Sequence, residues 1–500
     1  MIAVIDFGSQ YTQLIARRVR ECGVYSEIYS CFIDRLDLTD LEGIILSGGP
    51  GSVYRTNTKS FLHFFEYNVP VLGICYGMQL TAQLFDGIVQ HSKCREYGPA
   101  EIRIKKNPIF DTLPTSFNVW MSHGDTVARL PAGAKIIAST ETVPISGFQL
   151  KNFYSLQFHP EVRHTRFGTK IIKNFLYRIC YAKKTWSMGK FIDEKIREIR
   201  ETIGEKKAIC AISGGVDSTV AGVLTSRAIG KNLVGIFVDN GLLRYNEREE
   251  VMTNLKNRIN LRVVDARNRF LSKLQNAKDP ETKRKIIGNE FIRIFENEAR
   301  KIKSTEFLVQ GTLYPDVIES GRGIGPSAVI KSHHNVGGLP EKMDLKIVEP
   351  LGLLFKDEVR EIGRRLKLPK IFIERKPFPG PGLAVRIVGP ITKERLEILR
   401  QTDQILQEEA GKLKNYKNIW QIFTVLLPLG SVGVMGDKRT YESVCAIRAV
   451  QSEDGMTADW VRLSDDFLSR ISRRITNEVK GINRVVFDIT SKPPATIEWE

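Results

Sequence analysis

Two stretches of this 500-residue chain carry side chains whose types and spacing suit covalent or phosphate chemistry. The first is Gly73-Ile74-Cys75-Tyr76-Gly77, lying between an apolar run and a helical pattern. The G-x-C-x-G spacing predicts a tight strand-to-helix elbow with a cysteine as its nucleophile. Small neighbours let the turn push one side chain clear of the sheet, and the positive end of the helix dipole then favours the thiolate. A thiolate so placed can attack an amide carbonyl and form an acyl-enzyme. A lone cysteine after an apolar strand is more often a small buried hydrophobe. The flanking glycines weigh against that, as does Gln157-Phe158-His159-Pro160-Glu161. His159 supplies a base and Glu161 a carboxylate to hold its imidazole, in the order of a Cys–His–Glu triad. Gly48 and Gly49, in a turn after another apolar run, and the amide of Tyr76 are expected to face the oxyanion. His123, in Met121-Ser122-His123-Gly124-Asp125, is the competing histidine and is expected to line the pocket.

The second stretch is Ser213-Gly214-Gly215-Val216-Asp217-Ser218-Thr219. A glycine-rich turn that opens a helix binds phosphate through backbone amides and the helix dipole. The spacing is not G-x-x-x-x-G-K-[ST]. Ser213, Ser218 and Thr219 add hydroxyls. Asp217 makes sense beside phosphate if Mg²⁺ bridges the two, so Mg²⁺ is expected as the cofactor with Asp217 among its ligands. Tyr314-Pro315-Asp316-Val317-Ile318-Glu319 is expected to end a strand, and Asp316 and Glu319 can share a metal or polarise a nucleotide. Lys331 falls in a Gly- and Ser-rich stretch, residues 320–340, with the length of a lid. It is expected to cover the phosphates on closure, with Lys356 assisting. His333 and His334 are sequence neighbours with no cysteine or third histidine near, a poor zinc pair. No zinc, haem or flavin is expected.

The elements that must position these groups fall into three blocks. Residues 1–185 open with short apolar runs alternating with helical patterns (2–6, 43–46, 69–74), which predicts a parallel α/β sheet. Looser strands follow at 100–105, 117–121, 136–138 and 154–158. Residues 186–375 repeat the alternation, with strands at 208–212, 233–238, 261–264 and 307–310. Residues 376–500 begin with alternating Pro and Gly and continue as a smaller α+β unit, with helices at 392–413 and 459–479 and strands at 420–427, 442–450 and 484–489.

Bulk properties narrow the class. The net charge is +17; residues 1–180 hold 19 Lys/Arg and 15 Asp/Glu (+4), so 181–500 hold 55 and 42 (+13). The later part therefore handles anions, and with no basic helix or aromatic-studded RNA motif these are expected to be nucleotides rather than nucleic acid. Seven cysteines, odd in number and without a C-x-x-C pair, argue against a disulfide framework and for a reducing compartment. No signal peptide and no membrane span are read, so a cytoplasmic location is expected.

Four stretches, Ser47-Gly48-Gly49-Pro50, Gly73 to Gln79, Met121 to Asp125 and Gln157 to Glu161, resemble in order the class I glutamine amidotransferases. That resemblance implies a glutaminase triad of Cys75, His159 and Glu161, with Gln79 in the glutamine pocket. Ser213 to Ser218 resembles the motif of the ATP pyrophosphatases, which cleave ATP between the α and β phosphates and adenylate a carbonyl oxygen. Val238-Asp239-Asn240-Gly241 matches that family's adenine- and ribose-side loop. Residues 376–384, 451–460 and 491–500 are similar to the dimerisation and nucleotide domain of the GMP synthetase family. The resemblance implies xanthosine 5′-monophosphate (XMP) as acceptor, with contacts from Arg284, Gln421, Lys492, Ile497, Glu498 and Arg484. It also implies a homodimer built through the last domain. An NAD synthetase or a tRNA thiolase is the rival among enzymes, although the former uses an unrelated glutaminase and the latter needs further cysteines.

Overall fold

The computed structural model describes residues 1–36, 40–319, 345–435, 438–452 and 457–500. The chain divides into two compact units, residues 1–191 with 313–332 and residues 192–312 with 333–500.

In the first unit nine strands form one sheet: β1 Ile2–Asp6, β2 Ser26–Ser30, β3 Gly43–Leu46, β4 Val71–Ile74, β5 Ile88–Ile104, β6 Ser116–Arg129, β7 Lys135–Ser139, β8 Gly147–Leu150 and β9 Phe153–Leu156. Their order is β2-β1-β3-β4-β9-β8-β7-β5-β6. The half from β2 to β9 is parallel, and the rest is antiparallel. β1, β3, β4 and β9 are buried along their whole length, which is why they read as unbroken apolar runs. β6 is different. Its burial alternates, so Phe117, Val119 and Met121 face inward and the period of two carries His123 and Asp125 to the same buried face.

The elbow is built by close approach. A Cβ on Gly73 would stand 2.5 Å from Gly77 O, and one on Gly77 2.5 Å from Leu46 O, both immovable backbone atoms. Gly77→Ala is therefore expected to lower stability by about 3 kcal/mol and to cut glutaminase activity with it. The measurements are the urea midpoint and glutamate release. A midpoint equal to that of the parent chain would refute this account of the turn.

The second unit holds two sheets. β10 Lys207–Ala211, β11 Leu233–Asp239, β12 Asn260–Asp265, β13 Thr305–Val309 and β14 Lys346–Val348 form an all-parallel sheet of order β12-β11-β10-β13-β14. The chain leaves β10 first toward β11 and β12 and later returns to β13 on its other side, so the order reverses at β10. In such sheets ligands bind where the order reverses, at the carboxyl ends of the strands. β15 Gln421–Met435, β16 Lys438–Gln451, β17 Asp459–Trp460 and β18 Ile482–Asp488 form the other sheet, with β16 antiparallel to β15 and parallel to β18. Helices Lys393–Ala410 and Asp465–Glu478 join its core through Leu396, Leu399, Leu406, Phe467, Ile471 and Ile475. Their starts are fixed by Thr392 and Ser464, whose hydroxyls accept from Arg395 N and Phe467 N.

The fold is the expected pair of parallel-sheet α/β regions plus a smaller α+β region. Several elements differ in detail. β2, β8 and β14 have no counterpart in the sequence reading, and residues 314–319 form a short helix, Tyr314–Glu319, instead of ending a strand. The expected helix at 459–479 begins only at Asp465, after the short strand β17. Among the described residues no helix is long and apolar enough to cross a membrane.

Candidate functional site

Strand order assembles the first site. β4 pairs with β3 on one side and β9 on the other, with Leu46 opposite Gly73 and Ile74 opposite Leu156. The turns beyond their carboxyl ends therefore stand side by side: Gly48 and Gly49, then Cys75, then Gln157 to Glu161. Cys75 N donates to Leu156 O at 2.8 Å. Cys75 adopts φ 53°, ψ −103° and caps helix Tyr76–Leu84, a left-handed backbone that costs about 1–3 kcal/mol for a residue with a side chain. It is nevertheless well buried. Its thiol donates to Ser122 O at 3.6 Å, and Gln157 Nε2 donates to its sulfur at 3.7 Å.

His159 and Glu161 are both buried, and Nδ1 of the imidazole lies 2.7 Å from Glu161 Oε1. Tyr11 packs edge-on against the ring. Thr165 Oγ1 donates to His159 O at 2.6 Å, fixing the backbone behind it. Burial opposes a charge on this imidazole, but Glu161 and the Cys75 sulfur outweigh it, and the pKa of His159 stands well above the ordinary 6.5. A cation favoured in the folded state stabilises it fully below the unfolded value and loses that effect as pH rises through the folded one. Glu161→Gln is thus expected to cost more stability at pH 6 than above the folded value of His159. Urea midpoints at several pH values test this, and a cost that grows with pH would contradict it.

A Cβ on Gly48 would lie 3.4 Å from His159 Cε1, which places the glycine turn against the imidazole. Tyr76, at the start of the elbow helix, is buried. His123 is fully engaged, with Nε2 at 3.0 Å from Glu96 Oε2 and Nδ1 at 3.0 Å from Asp125 O. It has no ring nitrogen left for Cys75. The Gln79 side chain, expected in the glutamine pocket, is buried and donates to Asp125 O at 3.0 Å and to Gln157 Oε1 at 3.4 Å.

The second site follows β10. Gly214 has φ +77°, and a Cβ there would meet Val251 Cγ2 at 2.9 Å. Ser213 Oγ and Ser218 Oγ lie 3.0 Å apart across the turn, and Ser213 Oγ accepts from Gly215 N at 3.3 Å. Val216 and Asp217 open helix Val216–Ile229. Thr219 is fully buried, and its hydroxyl oxygen has no hydrogen-bond partner in the protein. Asp217 Oδ2 is ion-paired with Lys356, the first residue of helix Lys356–Arg365, while Oδ1 is buried without a partner. An orphaned carboxylate oxygen beside a phosphate turn fits a magnesium ion held by one carboxylate and by phosphates. Among the described residues there is no group of three or more His, Cys, Asp or Glu that could hold a metal alone. Asp239, at the end of β11, is buried and accepts from Gly241 N at 3.0 Å. Asp316 Oδ2 accepts from Leu313 N at 2.9 Å, which begins the short helix. The side chain of Glu319, Lys331 and the histidines 333 and 334 lie outside the described residues.

A third cluster surrounds the chain end. Arg386 grips Glu498 through two hydrogen bonds of 2.9 and 3.0 Å, and Gln421 Nε2 lies 3.4 Å from the same carboxylate. Arg284 donates to Glu500 O at 2.6 Å, and Lys283 pairs with the Glu500 side chain. Arg448 donates to Thr496 O at 3.0 Å and Ile497 O at 3.4 Å. Arg284, Gln421, Ile497 and Glu498 are therefore brought together. Lys492 is half-buried and pairs its backbone with Ala458. Arg484 is exposed on β18 and donates to Ser431 Oγ at 2.6 Å. Sequence reasoning missed Lys283, Arg386 and Arg448, all buried. The signal was present: an arginine alone in an apolar run, as in Val385-Arg386-Ile387 or Ile447-Arg448-Ala449, must be a buried cation in need of acceptors.

The fold and these sites define a glutamine amidotransferase joined to an ATP-using domain. The family model for class I glutamine amidotransferases matches residues 3–179, that for NAD synthase residues 188–305, and that for the GMP synthase C-terminal domain residues 408–499. The whole chain is 57% identical over 504 residues to a protein of Thermotoga maritima named GMP synthase (glutamine-hydrolysing), covering all of both chains. It is 56% identical to the protein of that name from Aquifex aeolicus and 54% identical to that from Brachyspira hyodysenteriae, covering all of this chain and 99% of each relative. The chain belongs to the glutamine-hydrolysing GMP synthase family.

Proposed function

We propose that this chain is a ligase that hydrolyses glutamine, adenylates XMP with ATP and aminates it to GMP. The carrying observation is the presence in one chain of a cysteine elbow with a buried His–Glu pair and a separate phosphate turn with an orphaned aspartate oxygen. The NAD synthase model reaches only the ATP-using region, whereas the full-length relatives match every region.

In the first half-reaction the Cys75 thiolate attacks the carboxamide carbon of glutamine. The oxyanion faces the amides of Gly48, Gly49 and Tyr76. His159 gives its proton to the departing nitrogen, ammonia leaves, and His159 then takes a proton from the water that hydrolyses the thioester to glutamate. Glu161 holds the imidazole throughout. In the second, the turn from Ser213 to Ser218 cradles ATP phosphates and Asp239 serves the nucleoside side. Asp217 would hold Mg²⁺ beside the phosphate turn, and the ion would supply charge neutralisation. The xanthine 2-oxygen displaces pyrophosphate from the α-phosphate, and ammonia then displaces AMP. Lys331, Lys356, Asp316 and Glu319 serve the adenylation step in this reading, and Arg284, Gln421, Arg484, Lys492, Ile497 and Glu498 bind XMP.

We divide the labour as glutaminase in residues 1–185, pyrophosphatase in 186–375, and XMP binding and dimerisation in 376–500. The exposed apolar Leu429, Val432, Val434 and Tyr441 on β15 and β16 support a homodimer through that last region. A cytoplasmic location is supported by the scattered cysteines. The test is a product assay with XMP, ATP, Mg²⁺ and glutamine, resolving the nucleotides by chromatography. GMP, AMP, pyrophosphate and glutamate in equal amounts are expected. Glutamate without GMP, even with ammonium supplied, would overturn XMP as the acceptor.

A further inference from the structure

Gln157, the first residue beyond β9, is fully buried. Its Nε2 points at Cys75 Sγ, 3.7 Å away, while its Oε1 accepts from Gln79 Nε2 at 3.4 Å. The same Gln79 nitrogen donates to Asp125 O at 3.0 Å. Both N–H groups of Gln79 are thus directed at acceptors, and only one orientation of Gln157 satisfies this: oxygen toward Gln79, NH₂ toward the sulfur. The sulfur needs such a donor. It is largely cut off from water, and Ser122 O, 3.6 Å away, is an acceptor that suits the thiol and repels the thiolate.

We propose that Gln157, oriented by Gln79, is a hydrogen-bond donor to the Cys75 thiolate and a third side chain of the glutaminase centre beside His159 and Glu161. This rests on the reading of Cys75 as the glutaminase nucleophile. It gives Gln79 a positioning task, holding Gln157 through its Nε2. A hydrogen bond made to the charged form favours that form, so Gln157 raises the share of Cys75 that is nucleophilic near neutral pH. The titratable groups around the sulfur are His159 with Glu161 beyond β9, His123 with Glu96 on the β5–β6 hairpin, and Tyr11 against the imidazole. None of them changes in a Gln157 variant.

The experiment measures the rate at which iodoacetamide alkylates Cys75 in the full-length chain from pH 5 to pH 9, with the modified peptide identified by mass. Ammonium-dependent GMP formation reports that each variant is folded. For Gln157→Leu the midpoint of the alkylation profile is expected to move up by about one pH unit. Glutamine-dependent kcat at pH 7 should fall about tenfold, be partly restored at higher pH, and leave KM for glutamine little changed. Gln79→Leu should move the midpoint the same way by less, and Gln157→Glu by more. An unmoved midpoint, with activity lost evenly at every pH, would make Gln157 a packing residue and overturn the proposal. A parent chain alkylated at Cys75 that still hydrolyses glutamine would instead overturn the reading of Cys75 itself.

Discussion

Cys75→Ala should abolish glutamine-dependent GMP formation while leaving synthesis from added ammonium intact. In the proposed reaction the sulfur forms the acyl bond, and three features of its surroundings fit that role. The backbone is held at φ 53°, a buried carboxylate raises the imidazole pKa against the effect of burial, and the elbow glycines cannot bear a side chain. Removing the nucleophile of such a set typically costs roughly four to six powers of ten in rate. The alanine is smaller than the cysteine and suits the same backbone no worse, so folding is expected to persist. The measurement is GMP formation with glutamine and, separately, with saturating ammonium. Loss of both activities would mean that Cys75 is a structural residue and that the glutaminase lies elsewhere.

Asp217→Ala is the complementary case. Basal glutaminase should survive, and conversion of ATP to AMP in the presence of XMP should fall by roughly ten- to a hundredfold, the scale seen when a metal site loses a supporting group. The reason lies in the two oxygens of this carboxylate. Oδ2 is engaged by Lys356, and Oδ1 is buried with no partner in the protein. A buried oxygen without a partner is costly unless a ligand satisfies it. Asp217→Asn tests the charge, since it keeps the shape and loses the anion. AMP production that persists in both variants would remove Asp217 from the adenylation machinery. Together the two variants separate the halves of the reaction, because each is expected to spare what the other destroys.

The parts legible in the sequence were those coded by near neighbours. Gly73 and Gly77 flank Cys75 within five residues, and the turn they allow is decided by the contacts of that segment with itself and with the next strand. The same holds for Gly214 at φ +77° and for the helix that opens at Val216. The fully buried strands announced themselves as apolar runs because a parallel strand is covered on both faces. β2, Ser26–Ser30, did not: only its two end residues are buried, and its sequence lacks a clear period. The helix Tyr314–Glu319 was misread because a short segment after a strand carries too few residues for a helical period to appear.

The two chemistries and their order along the chain are written in local stretches, since turn geometry and charge depend on residues only a few positions apart. Which distant groups meet is set instead by how the strands pair and the chain end docks. The pairing of β4 with β9 sets Gln157 against a sulfur 82 residues earlier, and the docked chain end brings Glu498 to an arginine 112 residues before it. His123 was assigned to Glu96 in the same way, by the register of the β5–β6 hairpin. The physical reason is that such contacts depend on strand order and register, which are fixed by burial of the whole sheet and the whole core. No local run of residues carries that information.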